Sequence, residues 1–252
     1  MSDAPVPDVS VVIPVRDRSG ARLANCLASL GWQDLDPHRV EVVMSDLGSD
    51  ASHLPGVRRL AAARGARLVE TPTPGPWNRS KALNVGIQAA RSDIVLCTDA
   101  DMIFQQNFLS TILEAHERHG GEVMVLCRCW DLPPSVPERS WGLEDFPALK
   151  AKARLRETSG TGACQAAARA FFEHGRGYDE KLRYWGFEDG DLVARARRYG
   201  LDLHWVSDRT SMLHQWHPTR KHDRPFTVHL NRLRQRLTRH IIVKNRGGWG
   251  AR

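Results

Sequence analysis

The feature that most constrains the fold is an alternation of short apolar runs with segments of helical periodicity. Apolar runs occupy Val9–Val15, Val40–Met44 and Ile94–Cys97, and further strands are predicted at Arg67–Glu70 and Glu122–Cys129. Stretches with helical spacing lie between them, so that strands recur roughly every 25 residues. Buried strands separated by helices are typical of a parallel sheet covered on both faces. We therefore predict an α/β fold with one mostly parallel central sheet flanked by helices, in a single domain.

Two carboxylates, Asp99 and Asp101, follow the Ile94–Cys97 run with only Ala100 between them. In open α/β sheets, ligands bind at the carboxyl ends of strands, where this pair would lie. Aspartates at i and i+2 can hold a hard divalent cation that is bound to a phosphate ester. Taken alone, such a pair is more often a turn with two solvated acids, so the other motifs must decide.

The loops after the first two strands are rich in charged residues, namely Arg16, Arg18, Asp46 and Asp50. An acid at a strand end can bind a base or ribose, and guanidinium groups bind phosphate. The chain contains no GxGxxG or Walker A sequence, which disfavours a dinucleotide fold and a P-loop. Without a glycine cradle, a bound diphosphate needs a cation, and Asp99 and Asp101 could hold it.

The sequence WGFEDGDL at 185–192 is a second acidic centre. Its acids fall at the start of a predicted helix, where carboxylates satisfy free amides and the helix dipole. That explanation suffices for Asp191, but less well for Glu188 and Asp189, because Trp185 and Gly186 precede them as a flat surface beside a tight turn. Aromatic rings and carboxylates together bind sugars, and one carboxylate could be a general base toward a hydroxyl.

The third centre is the segment Met212–Pro218, in which His214 and His217 are three residues apart. This spacing permits shared metal binding, and either histidine could complete a Mn²⁺-like site together with the Asp99/Asp101 pair. A zinc half-site is the alternative, but no neighbouring cysteine or carboxylate completes it locally. A lone histidine is usually structural or solvated.

The second half of the chain has fewer clear strands. Leu132–Pro147 is Pro-rich and irregular, and a small-residue helix is predicted at Ala163–Glu173. The last predicted helix has arginines between apolar residues spaced by three and four, which are Phe226, Leu230, Leu233, Leu237 and Ile241. Packing on the domain is the simpler interpretation of this helix. Peripheral contact with an anionic membrane or a polyanion is the alternative.

Charge and cysteine usage narrow the class of protein. The formal charge of +7 and the pI near 9.5 are compatible with an anionic partner or with a solvated basic surface. Five cysteines, mostly inside apolar runs, fit reduced core thiols better than a disulfide framework. No stretch approaches the roughly 18 apolar residues of a membrane span. We therefore expect a soluble, cytoplasmic protein, peripheral to a membrane at most.

The ordered motifs resemble glycosyltransferases of the GT-A fold. The order VSVVIPVRDR, SDLGSD, WNRSKALNVGIQAA, TDAD, WGFEDGDL and HQWH is similar to family 2, especially its β-1,4-galactosyltransferase and chondroitin-polymerase branch. The resemblance runs from about Val9 to His217. It implies a Rossmann-like GT-A domain, with a tail at 1–8, a nucleotide-sugar half at 9–131, an acceptor-binding and catalytic half at 132–224, and a basic helix and tail at 225–252.

The resemblance also implies residue roles. The donor nucleotide would be bound by Pro14, Arg16, Arg18, Asp46, Asn78, Arg79, Lys81 and Asp99. Asp101 would be the direct metal ligand, supported by Asp99 and joined by His214 or His217. Asp189 would deprotonate the acceptor hydroxyl, in a site lined by Trp185, Gly186 and Glu188. The glycine before the family's E-D pair is Phe187 here, which would reshape the acceptor pocket.

These roles imply an enzyme of the hexosyltransferase type. A Mn²⁺- or Mg²⁺-dependent enzyme would move a sugar from a nucleoside-diphosphate sugar, with UDP as the expected nucleotide, to an acceptor hydroxyl with inversion. The acceptor would be a glycan or a small molecule, and no nucleic-acid partner is expected. A retaining transferase on the same fold is the alternative within the enzymes. A nucleotide- or polyanion-binding module without turnover is the alternative outside them.

Overall fold

The computed structural model describes residues 5–157, 160–184, 186–218 and 225–250. The strands are β1 (Val9–Val15), β2 (Val40–Leu47), β3 (Arg67–Thr71), β4 (Ile94–Cys97), β5 (Met102–Phe104), β6 (Val123–Leu126), β7 (Cys129–Asp131), β8 (Arg154–Leu155), β9 (Gln165–Ala168), β10 (Asp202–Trp205) and β11 (Met212–His214). The α-helices are α1 (Ala21–Gly31), α2 (Leu54–Ala63), α3 (Arg79–Ala89), α4 (Phe108–Arg118), α5 (Phe146–Lys152), α6 (Arg169–Gly175), α7 (Glu188–Tyr199) and α8 (Pro225–Thr238).

The larger sheet has seven strands in the order β10-β6-β9-β4-β1-β2-β3. Its strands pair in parallel except β9, which runs antiparallel to both β4 and β6. β1 is buried along its whole length, as expected for a central strand with helices on both faces. The prediction of an α/β fold with a mostly parallel sheet is confirmed.

Successive residues of β1 feed two separate cores, because side chains alternate between the faces of a strand. Val11 and Ile13 pack with Leu23 of α1 and Ile112 of α4. Val12, on the other face, packs with residues of α3, α6 and α7. The helices therefore cover both faces of the sheet.

A smaller four-stranded sheet, in the order β5-β11-β7-β8, extends the fold at that edge. β11 pairs antiparallel with β5 and parallel with β7. A third core beneath this sheet is built on Ile103, Phe146 and Leu213. The pairing matters for function because it places His214 opposite both Met102 and Asp131.

The predicted helix at Ala163–Glu173 is wrong in its first half. Gln165–Ala168 forms β9, and the helix begins only at Arg169. Alanine favours a helix in isolation, but this run is inserted between β4 and β6, and its residues Ala166 and Ala167 are fully buried. Pairing on two sides outweighs the local helix propensity.

The single strand predicted at Glu122–Cys129 is in fact two. β6 ends at Leu126 in the large sheet, and β7 begins at Cys129 in the small one. The break falls at Cys127 and Arg128, and the apolar residues on both sides of this arginine led to the prediction of one strand.

The remaining predictions on the chain's character have mixed outcomes. All five cysteines are buried and unpaired, as expected of core thiols. No helix among the described ranges is long and apolar enough to span a bilayer. The C-terminal helix forms and contacts the domain through Asn231 and Arg234, but it ends at Thr238 and leaves four of its apolar side chains exposed. The division at 131/132 and 224/225 remains a prediction.

Candidate active site

Asp99 and Asp101 lie in the turn between β4 and β5, where β4 has just ended at Cys97. The turn is placed by its pairings, because β4 lies in the large sheet and β5 in the small one. The Thr98 hydroxyl donates to the carbonyl of Ala163 at 2.7 Å, and the backbone N–H of Gln215 donates to the carbonyl of Asp101 at 3.0 Å. The acidic pair is therefore held between the two sheets.

Asp101 lies against both histidines of the 212–218 segment. Oδ1 of Asp101 is 3.8 Å from Nε2 of His214, and Oδ2 is 3.2 Å from Nε2 of His217. One ligand atom of each residue lies within 4.8 Å of the others, which is the spacing needed to share one metal ion. The sequence left open which histidine joins Asp101, and the structure brings both to it.

The Asp101 carboxyl is nearly buried, and that burial opposes its ionisation. The hydrogen bond with His217, together with the charges of His214 and Arg18, outweighs the burial and lowers the pKa of Asp101. Arg18 Nη1 lies 3.8 Å from Oδ2. An ionised carboxylate beside two imidazoles is the form that a divalent cation requires.

A second carboxylate, which sequence reasoning missed, orients His214. Asp131 Oδ1 lies 3.1 Å from His214 Nδ1, and Asp131 Oδ2 accepts a hydrogen bond from Arg156 Nε at 2.9 Å. Burial opposes ionisation of Asp131, but the bonds with Arg156 and His214 hold its pKa well below its usual range. A carboxylate on the far nitrogen of a ligand histidine fixes the ring and leaves the near nitrogen free for a metal.

Arg79 lies beside three acidic side chains of the site. Its Nε donates to Asp99 Oδ1 at 2.9 Å, its Nη1 to Asp189 Oδ1 at 2.9 Å, and its Nη2 to the carbonyl of Gly162 at 2.7 Å. Glu188 Oε1 is 3.9 Å from Nη1. Burial disfavours the charge of Arg79, but these acids raise its pKa well above the usual value. The resemblance predicted Arg79 near the donor nucleotide. The sequence did not indicate that Arg79 would contact three acidic side chains.

Glu188 and Asp189 begin α7, directly after Phe187, whose backbone is left-handed at φ 74°. Burial, reinforced by the charge of Asp189, raises the pKa of Glu188 to about 7. Burial also raises the pKa of Asp189, although Arg79 opposes this. The Asp189 side chain is still 29% exposed. A carboxylate with a raised pKa, open to solvent on one side, is suited to accept a proton.

Gly162 and Gln165 place Asp189 from the neighbouring loop and strand. A Cβ added at Gly162 would overlap the Asp189 carboxylate, so only glycine allows this approach. Gln165 donates to the carbonyl of Asp189 at 3.1 Å, and the Tyr178 hydroxyl donates to Gln165 Oε1 at 2.7 Å. The signal for Gly162 in the sequence was the short run Ser-Gly-Thr-Gly at 159–162.

Asp191 is structural, as the sequence suggested. Its Oδ2 accepts from Arg195 Nε at 2.8 Å, and its Oδ1 lies 3.3 Å from Lys244 Nζ. All three side chains are buried. This buried pairing fixes the first turn of α7 to the C-terminal segment and so supports the position of Asp189.

Several residues that were predicted to bind the donor nucleotide have partners within the protein. Arg16 Nη1 donates to the Gly75 carbonyl at 2.8 Å, and Asp46 accepts hydrogen bonds from the amide and hydroxyl of Ser49. Asn78 caps α3 by accepting from the Lys81 amide at 3.0 Å. Pro14 lies within β1, opposite Ser45. Their contacts within the protein are therefore clear, whereas their roles toward a donor remain predictions.

The predicted acceptor residues are only partly described. Trp185 lies outside the described residues. Gly186 has φ 100°, a conformation that favours glycine, and it is followed by the left-handed Phe187. These two residues with positive φ direct the chain into α7, which begins at Glu188 and Asp189.

Comparisons with known proteins give two family matches along the chain. Residues 10–175 match the family described as Glycosyl transferase family 2, and residues 145–218 match the N-terminal domain of galactosyltransferase. A validoxylamine A glucosyltransferase of Streptomyces hygroscopicus subsp. limoneus is 26% identical over 227 residues, covering 79% of this chain and 49% of that protein. The chain thus spans about half the length of this curated relative.

Solved structures show the same fold at low sequence identity. S. aureus TarS 1-349 in complex with UDP-GlcNAc superposes with a TM-score of 0.63 at 17% identity, covering 84% of this chain and 59% of that one. GalNAc-T7 with UDP, GalNAc and Mn²⁺ gives a TM-score of 0.65 at 16% identity, covering 85% and 45%. The mannosyltransferase PcManGT of Pyrobaculum calidifontis gives 0.59 at 18%, covering 94% and 62%. With the family match extending over most of its length, this chain belongs to glycosyl transferase family 2.

Proposed function

We propose that the protein is a metal-dependent, inverting glycosyltransferase that uses a nucleoside-diphosphate sugar. One observation carries the proposal. The guanidinium of Arg79 joins Asp189, on the acceptor side, to Asp99, which is two residues from the Asp101–His214–His217 cluster. A base for the acceptor hydroxyl and ligands for a diphosphate-bound cation therefore meet in one site.

The residues of the cluster fit a Mn²⁺-like ion. One carboxylate and two imidazoles form a donor set that suits such metals. His214 uses Nδ1 on Asp131, and His217 Nδ1 is 3.0 Å from the Pro218 carbonyl, so both Nε2 atoms face Asp101. When bound there, a divalent cation would act as a Lewis acid toward the leaving diphosphate.

The chain's own residues supply the remaining chemistry. Asp189 accepts the acceptor's hydroxyl proton as that oxygen bonds to the anomeric carbon, while the bond from this carbon to the diphosphate oxygen breaks with its electron pair. Arg79 fixes the Asp189 carboxylate during this transfer. Glu188 is buried beside Asp189 and has a pKa of about 7. When protonated it donates a hydrogen bond to the acceptor sugar or alcohol, and when ionised it accepts one. A single displacement of this kind inverts the anomeric centre.

Donor recognition is assigned to the loops after β1 and β2. In this proposal Arg16 and Arg18 face the phosphates, Asp46 faces the base, and Asn78 and Lys81 complete the donor site from the start of α3. UDP is the favoured nucleotide, because two of these three structures, TarS and GalNAc-T7, contain UDP or a UDP-sugar. The third, PcManGT, contains GDP-Man. The match to the N-terminal domain of galactosyltransferase supports the β-1,4-galactosyltransferase and chondroitin-polymerase branch.

The test is a panel of UDP- and GDP-sugars assayed for hydrolysis and transfer, with Mn²⁺, with Mg²⁺ and with EDTA. We expect one donor to be turned over only with the metal, and NMR of the product to show the inverted anomer. A retained anomer would overturn the single displacement. Donor binding without any product from the panel would instead favour a binding module.

Thermal shift with the same panel gives a readout that needs no acceptor. A donor present at about one hundred times its Kd stabilises the folded state by about 2.7 kcal/mol. We expect this stabilisation with Mn²⁺ for the wild type. Loss of the Mn²⁺-dependent part in His214→Ala and in His217→Ala would support both histidines as ligands, and its survival in either variant would exclude that residue.

A further inference from the structure

We propose that α8 docks the protein on an anionic lipid surface. The helix carries an apolar stripe of four residues, whose exposed fractions are 73% for Phe226, 49% for Leu230, 54% for Leu233 and 63% for Leu237. Large apolar side chains exposed together in a row mark an interaction surface rather than an ordinary solvated face. This inference does not depend on the proposed reaction.

The stripe is narrow and continuous. At about 100° per residue, positions 226, 230, 233 and 237 of an α-helix fall within about 60° of one another. They therefore form one line along the axis over the whole helix. A line of Phe and Leu side chains has the shape with which an interfacial helix enters the boundary between lipid headgroups and acyl chains.

The charges beside the stripe select the kind of surface. Arg232 and Arg236 are exposed on one flank, with His229 between them and the stripe, and Pro225–Thr238 contains no Asp or Glu. Arg239 is exposed just beyond the helix. Cationic groups beside an exposed apolar line complement negatively charged lipid headgroups. The formal charge of +7 over the chain acts in the same direction.

The opposite side of α8 is fastened to the domain by polar contacts. Asn231 is buried, and its Nδ2 donates to the Arg183 carbonyl at 2.9 Å. Arg234 donates to both oxygens of Asp179, at 2.8 and 3.0 Å. The helix is thus held without using its apolar stripe. Asn231 Nδ2 also lies 3.3 Å from the Gly186 carbonyl, to which it donates, so the polar side of α8 is joined to the residues just before α7.

Vesicle co-sedimentation of the full chain tests this proposal. The vesicles are phosphatidylcholine alone or phosphatidylcholine with about one third phosphatidylglycerol, at low and at high salt. We expect binding to the anionic vesicles only, weakened by salt. Leu230→Gln/Leu233→Gln should weaken binding about tenfold or more, and Arg232→Gln/Arg236→Gln by about fivefold per arginine. Arg59→Gln/Arg64→Gln, exposed on or just beyond α2, is the charge-matched control and should bind like the wild type.

Three results would overturn the proposal. The first is absence of binding to anionic vesicles. The second is binding that the arginine variant loses and the leucine variant keeps, which would indicate a polyanion site without insertion. The third is a wild-type dimer that Leu230→Gln/Leu233→Gln converts to a monomer, which would assign the stripe to a second copy. The replaced side chains are exposed, so each variant is expected to keep the fold. Circular dichroism of each variant checks this.

Discussion

Nη1 of Arg79 lies 2.9 Å from Oδ1 of Asp189, across 110 residues of sequence. The two residues begin different helices, Arg79 opening α3 and Asp189 lying in the first turn of α7. This contact holds one carboxylate oxygen of Asp189, and the other lies beside Gly162. The orientation of the proposed base is thus set by one cation and one glycine, and each makes a testable prediction.

Asp189→Asn should lower kcat by about 10²–10⁴-fold, because the amide cannot take the acceptor proton. The Asn oxygen can still accept from Arg79, so the donor Kd with Mn²⁺ should stay within about twofold of the wild type. Steady-state kinetics and donor titration check the two parts. Asp202→Asn, an exposed acid at the start of β10, is the control. Near wild-type turnover in Asp189→Asn would remove Asp189 from the role of base.

Gly162→Ala should also lower kcat, through displacement of the Asp189 carboxylate by the new methyl group. We expect a loss of about tenfold to a hundredfold, since small misplacements of a reacting group are costly. Metal-dependent donor binding should persist. Gly160→Ala is the matched control from the same loop, because its added Cβ meets Arg156 only at ordinary contact distance. Equal activity of the two variants would show that Asp189 tolerates the displacement.

Asp131→Asn should weaken Mn²⁺ binding about 10- to 100-fold although Asp131 lies outside the ligand cluster. The variant leaves His214 without its carboxylate partner, so the ring loses its orientation. Titration of Mn²⁺ in the presence of the donor nucleotide measures the effect. The control is Asp145→Asn, which also removes an aspartate paired with an arginine but not with a histidine. If the two variants bind Mn²⁺ alike, the histidine is oriented by other contacts.

Glu188→Gln should change the pH dependence of stability. The folded-state pKa of Glu188 is about 7 and its ordinary value is 4.5, so between these the folded state binds more protons than the unfolded state. The free energy of unfolding should therefore fall as pH rises from 4.5 through 7, with a slope of about 1.4 kcal/mol per pH unit at its steepest.

Urea unfolding at pH 5 and pH 8 checks this prediction. Glu188→Gln should lose less stability than the wild type over that interval, because the Gln side chain has no proton to release. Glu122→Gln, at an exposed position before β6, should keep the wild-type dependence. A variant at 188 whose stability falls as steeply as that of the wild type would mean that Glu188 is ionised at little cost.

The architecture was largely predictable from the sequence, because buried parallel strands are apolar on both faces. The exception is instructive. Gln165–Ala168 has the composition of a helix, and only its position between β4 and β6 makes it a strand. Its neighbours in the sheet come from distant parts of the chain, and local propensity contains no information about them.

The site was predictable to the extent that its residues form short motifs. Asp99, Asp101 and the two histidines were candidates from their spacing and residue type, and Asp101 does lie beside both histidines. Asp131 could not, because its role depends on the parallel pairing of β7 with β11, which sets it opposite His214. Sequence patterns show which residues could bind a metal, whereas strand register decides which residues orient them.

The reversed direction of β9 has a consequence for how the acceptor side can diversify. Since β9 runs against β4 and β6, its beginning lies at the edge where those strands end, and the segment entering it reaches Asp189 and Arg79 through Gly162. Insertions or exchanges just upstream of Gly162 would remodel the space around the base while the loops after β1 and β2 stay as they are. Under the proposed assignment of the two sides of the site, acceptor choice can thus be engineered independently of donor choice.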